Sequence, residues 1–124
     1  MLITETFRAW ADQIDVELAE ATQAADDARA DLIKAKAAHA SAVAERDDVQ
    51  GALAATGRDI PPTFARLRHP LDDAARQAEG GVVRAKGTLK HRLDALKDLE
   101  AAREELVLLT APPAPEPMNE EQRN

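Results

Sequence analysis

The chain has 124 residues, a formal net charge of −7, no cysteine and only 2% aromatic residues. That length fits one domain, and the missing cysteine excludes disulfides and thiolate metal sites within it. The acidic balance argues against broad nucleic-acid binding, which depends on Lys and Arg neutralising phosphates.

Much of the 44% apolar content is alanine. Alanine is the best helix former but buries little area per residue. Long helices packed closely side by side are therefore expected, around a core one layer thick. Such a core is marginal alone, so it calls for self-association or docking on a larger body. No stretch approaches the roughly 20 apolar residues of a membrane span. The N-terminus has no basic region followed by an apolar run, so no signal peptide is expected. These readings place the chain in the cytoplasm, or in a particle assembled there, with no membrane contact.

The first predicted helix covers about residues 4–55. The segment 5–55 has no proline, and its only glycine is Gly51. Thr4 reads as the N-cap, with Glu5 in the first turn where the helix dipole favours an acid. The apolar stripe opens Phe7, Ala11, Ile14, Leu18 and closes Arg46, Val49, Leu53, with spacings alternating four and three. Only His39 and Arg46 break its apolar character. A seven-residue repeat held this long marks a coiled-coil seam.

Residues 56–69 read as a proline-containing tip. Gly57 can end the first helix, and Pro61-Pro62 forbid its continuation. Residues 63–68 can form a short helical turn. The second helix is expected from Pro70, a residue suited to a first helical position, to about residue 109. Its stripe contains Leu71, Ala75, Ala78, Val82, Ala85, Leu89, Arg92, Leu96, Leu99, Arg103 and Leu106. Residues 111–124 read as an extended, proline-rich acidic tail. The fold class is thus all-α: a long antiparallel two-helix coiled-coil hairpin over residues 1–110, completed by oligomerisation or by docking on a larger assembly.

Laid antiparallel, the stripes suggest layers such as Leu18–Leu106, Ala21–Arg103, Leu32–Arg92, His39–Ala85 and Leu53–Leu71. Small residues then mostly meet large ones, as even packing requires. This register also places Arg29 beside Glu100. Gly80, Gly81 and Gly87 each cost a helix interior about 1 kcal/mol relative to Ala. They suggest either a close backbone approach, a face for a third helix, or a kink.

No catalytic, cofactor or metal constellation is expected. The three histidines do not cluster, and no His-Glu-x-x-His or phosphate-loop pattern occurs. The acid pairs Asp26-Asp27, Asp47-Asp48, Asp72-Asp73 and Glu104-Glu105 are neighbours about 100° apart on a helix, so they do not converge on one ion. His39 reads as a polar seam residue that helps set register. The only serine, Ser41, lies mid-helix without the strand-turn-helix elbow of a nucleophile.

Two basic clusters remain. One is the tip, with Arg58, Arg66 and Arg68 near His69. The other is Arg84, Lys86, Lys90 and Arg92, which reads best as charge balance for the acidic first helix. The opposite end of the hairpin is more suggestive. Leu2, Ile3, Phe7, Trp10 and Ile14 should gather near Leu106, Val107, Leu108 and Leu109. One seam cannot bury this set, and contiguous exposed apolar surface marks interaction sites.

The sequence therefore suggests a non-enzymatic helical component of a larger protein assembly, docked through that apolar end. A phage particle or a secretion machine would suit a component of this size. The alternative is a small regulator or adaptor that binds a protein or nucleic acid through the arginine-bearing tip.

Overall fold

A computed structural model describes residues 2–110, with Leu2 described by its backbone alone. The proline-rich segment 111–124 lies outside the described residues. Among the described residues there are two helices, α1 (Leu2–Ala55) and α2 (Thr63–Thr110), forming an all-α helical hairpin.

Helix α1 begins two residues before the expected cap, so Thr4 is helical and does not cap it. A cap is a local preference worth about 1 kcal/mol, and it yields where the chain can keep adding helical hydrogen bonds. The other end follows expectation. Gly57 takes φ +64°, the left-handed conformation that closes a helix. The Thr56 and Gly57 amides donate to the carbonyls of Leu53 and Ala54, and the Thr56 hydroxyl also donates to the Leu53 carbonyl.

Helix α2 differs more. It starts at Thr63, seven residues before the expected Pro70, and Pro70 is internal. Pro61 and Pro62 launch it instead. Their carbonyls accept from the Phe64 and Ala65 amides at 2.9 and 3.1 Å. Their missing N–H groups fall where a helix has no use for them. Pro70 lacks the N–H that would bond to the Arg66 carbonyl. The helix persists because Phe64, Leu67 and Leu71 repeat at helical spacing and share a groove with Val49 and Leu53 of α1.

The chain contacts itself in two compact units. The end unit joins residues up to Thr22 with those from Ala95 onward, and the turn unit is Gln23–Asp94. In the end unit, Arg103 grips Asp15 at 2.7 Å, where the expected register had it opposite Ala21. In the turn unit, His39, Val43 and Arg46 face Asp72, Ala75, Arg76 and Glu79 across one groove, where His39 was expected opposite Ala85. Both units show a slide of about one heptad. A seven-residue slide keeps every seam residue on the seam, and the earlier start of α2 supplies the extra heptad. Arg29, expected beside Glu100, bonds to Asp26 in its own helix at 3.0 Å.

The seam itself matches the pattern closely. Every residue of the α1 stripe from Phe7 to Leu53 is buried or half-buried. On α2 the match fails at Arg92, which is exposed while Leu93 is half-buried in its place. Two helices cover each other along one line only. Among the described residues just Ala11, Ala25, Ala28, Ala75 and Leu106 are buried. The leucines of the seam keep an open flank.

Candidate interaction surfaces

The end unit brings the first turns of α1 against the last turns of α2. Thr4, Arg8, Ala11, Asp12, Arg103 and Thr110 line one groove. Arg103 donates from Nε and Nη2 to the two carboxylate oxygens of Asp15 at 2.7 and 3.4 Å. Both side chains are partly solvated, so the pair is worth at most about 1 kcal/mol. It fixes register more than it adds stability.

The apolar residues expected to dock divide into three groups. Leu106 is 5% exposed and belongs to the core, so it is not part of an exposed docking surface. Phe7 and Ile14 are half-buried in the seam. Ile3, Trp10, Val107, Leu108 and Leu109 are exposed, with Trp10 at 55% and Leu108 at 67%. The Leu2 side chain lies outside the described residues. The cause of this division is angular. Residues 106–109 step around α2 by 100° each, so only one of them can face α1. On α1, Ile3 and Trp10 stand seven residues apart, two turns along one flank. The Trp10 ring leans on Phe7 with centroids 5.5 Å apart and planes tilted by 51°.

The tip residues divide too. Arg58 and Arg66 are exposed. Arg68 does not project freely: it is half-buried and lines an apolar groove with Val49, Leu53, Phe64, Leu67 and Leu71. Its Nε is shielded from solvent and has no hydrogen-bond partner, a situation that costs roughly 1–3 kcal/mol for a buried donor. Nearby, His69 Nδ1 lies 3.1 Å from Asp73, and Arg76 lies 3.7 Å from the same carboxylate. The groove was not anticipated from the sequence, although the spacing Phe64, Leu67, Leu71 was the available signal.

The glycines do not mark close approach to α1. A Cβ on Gly87 would meet nothing within 4 Å, and on Gly80 or Gly81 it would meet only the Arg84 guanidinium. Helix α2 is unbroken through all three. Arg84 of the second basic cluster folds back over the Gly80-Gly81 backbone, and Lys86, Lys90 and Arg92 are exposed.

Among the described residues no three His, Asp or Glu side chains converge to hold a metal ion. His39 lies half-buried on the seam, in the open groove it shares with Arg46, Asp72 and Glu79. No described helix is long and apolar enough to cross a membrane. The fold and these surfaces define a helical hairpin with an apolar end and a basic, grooved turn. No protein-family model, curated protein or solved structure matches this chain.

Proposed function

We propose that this chain is a non-enzymatic interaction protein, a helical component of a larger protein assembly, docked through its apolar end. The observation that carries the reading is the exposure of Ile3, Trp10, Val107, Leu108 and Leu109 in one compact unit. Covering the exposed part of each would contribute about 1 kcal/mol, so about 5 kcal/mol together. Association itself costs an estimated 4–15 kcal/mol. The five residues are therefore the anchor of a larger contact, with Trp10 as its hot spot. The open flank of the leucine seam is the natural continuation. Such a component works in the cytoplasm or in a particle assembled there, with proteins or further copies of itself as partners.

The test is recovery of the tagged chain from its source cells. Trp10→Ala should lose the co-purifying assembly while the isolated variant keeps its helical circular dichroism. Retention of the assembly by Trp10→Ala, with loss in Arg66→Glu, would move the function to the turn.

A further inference from the structure

From Gly80 to Leu93, α2 carries Arg84, Lys86, Lys90 and Arg92 and no acid; Glu79 and Asp94 bound the stretch. Bases that only balanced the acids of α1 would pair with them. Among the described residues none of these four does. The ion pairs form elsewhere, with Arg29, Arg46, His69, Arg76 and Arg103 as the bases. Within α1, Asp26 is held by Arg29 and Asp27 by Gln23. The remaining α1 acids of this unit, Asp31, Glu45 and Asp48, are exposed and pair with none of the four, and Asp47 is taken by Arg46. Arg84 shares a shallow groove with Asp73, but Asp73 is already held by His69 and Arg76.

The bases flank an open place on the helix. Gly87 has Val83 and Arg84 one turn before it and Lys90 one turn after it, so the four share a face. All four are exposed, Val83 at 65%. Glycine weakens a helix interior relative to alanine, yet a Cβ on Gly87 would meet nothing within 4 Å. No described residue uses the space that this glycine leaves. A second helix can approach closely there and set one side chain over it.

The occupant that fits is a helix with a small apolar side chain at its centre and carboxylates beside it. The chain has one in its end unit. Between residues 5 and 20 it carries Glu5, Asp12, Asp15, Glu17 and Glu20 against Arg8 alone. Asp15 is held by Arg103; the other four acids are exposed and form no ion pair with a described residue. Asp12, Val16, Ala19 and Glu20 stand one turn apart along a single outer face. All are exposed, Val16 at 53%.

Laid antiparallel, the two faces match residue by residue, because both helices rise by about 1.5 Å per residue. With Val16 over Gly87, Ala19 falls beside Val83, Glu20 beside Arg84 and Asp12 beside Lys90. The match ends farther along, where Asp94 would meet Ala9 and Asp98 would meet Glu5. Each contact is therefore about three turns long, and charge supplies much of its specificity.

We propose that the α2 face around Gly87 of one copy receives the α1 face around Val16 of a second copy. The contact joins the turn unit of one chain to the end unit of another, and requires no particular arrangement of the two units within a chain. It is heterologous, so copies add head to tail unless they close into a ring. Trp10 and Leu109 take no part in it, so it stands or falls independently of the apolar end.

Sedimentation equilibrium of the full chain, from about 1 µM to about 1 mM, should show association at about 0.05 M salt that weakens at about 0.5 M. Arg84→Glu with Lys90→Glu should weaken it at least about tenfold, and so should Asp12→Lys with Glu20→Lys. Mixing these two variants restores opposite charges at every contact, so the mixture should associate as the native chain does while each alone does not. Gly87→Gln, which fills the open place without changing charge, should also weaken association at least about tenfold while helical circular dichroism is kept. A native chain that stays monomeric over this range would overturn the proposal. So would a mixture that fails to recover association, or indifference to Gly87→Gln. Association lost through Trp10→Ala but kept in both charge-reversed variants would place self-association at the apolar end instead, and would overturn it as well.

Discussion

Leu106→Ala is the sharpest probe of how this hairpin is held together. Leu106 is the largest of the buried side chains among the described residues, at 5% exposure. The substitution removes three carbon groups, at about 0.8 kcal/mol each, so the transfer loss alone is about 2.4 kcal/mol. A cavity normally adds to this, giving 2–5 kcal/mol for a leucine in a closed core. Here the neighbouring groove lined by Ala11, Arg103 and Thr110 opens to solvent, so the space left by Leu106 is shared with water and the cavity term is small. The expected loss is about 2.5–3 kcal/mol, a large part of the 5–15 kcal/mol that holds an ordinary domain. Urea titration followed by helical circular dichroism measures it. With a slope of about 1.5 kcal/mol/M the midpoint should fall by roughly 2 M. A loss under about 1 kcal/mol would mean that Leu106 is not enclosed by α1.

Three other outcomes follow from the same geometry. Leu93→Ala should destabilise the chain by about 1–2 kcal/mol while Arg92→Ala stays within about 0.5 kcal/mol, measured by the same titration; the reverse order would restore Arg92 to the seam. A double-mutant cycle with Asp15→Asn and Arg103→Gln should give a coupling of about 0.3–1 kcal/mol that shrinks in 1 M salt. No coupling at low salt would mean that the two side chains do not pair in solution. Gly87→Ala should raise stability by up to about 1 kcal/mol, since the added Cβ meets nothing. If it instead blocks assembly while stabilising the isolated chain, a partner helix packs at that position.

The sequence disclosed the seam far better than its alignment. Residues such as Ala11, Leu18, Leu32 and Leu53 are legible because apolar spacing is a property of one helix at a time. Register is a relation between two helices, and a strict heptad pattern leaves it undetermined by whole repeats. One misplaced boundary then moved everything: reading Pro70 as the start of α2 discarded the heptad that contains Phe64 and Leu67. Local preference favoured that start, and packing of Phe64, Leu67 and Leu71 beside Val49 and Leu53 overrode it. Arg92 failed for a different reason. The exchange is local: Leu93 takes the place of Arg92 while Leu89, Leu96 and Leu99 keep their stripe positions, because burying a leucine is favourable and burying a guanidinium is not.

The candidate surfaces show the same division. That residues 106–109 could not all be buried followed from 100° steps alone, and the five exposed residues had all been placed at this end: Ile3, Trp10, Val107, Leu108 and Leu109. Which member of the run is enclosed, Leu106, was also legible, because it is the one that falls on the α2 stripe; what faces it across the seam depends on register and was not. Arg68 was grouped with Arg58 and Arg66 as a tip contact, but a long aliphatic stem can lie along apolar surface, and the groove beneath it exists only once α2 begins at Thr63.

On the proposed reading, the apolar end around Trp10 is covered in the working protein. A photo-crosslinking residue placed at Leu109 tests it most directly, with one at Glu45, on an exposed face of α1, as the control. Irradiated in the source cells, the Leu109 position should yield a discrete crosslinked product, either with a protein partner or with a second copy, and the Glu45 position should not. Discrete products from Glu45 and none from Leu109 would contradict the account, because the apolar end would then stand free while another face does the binding.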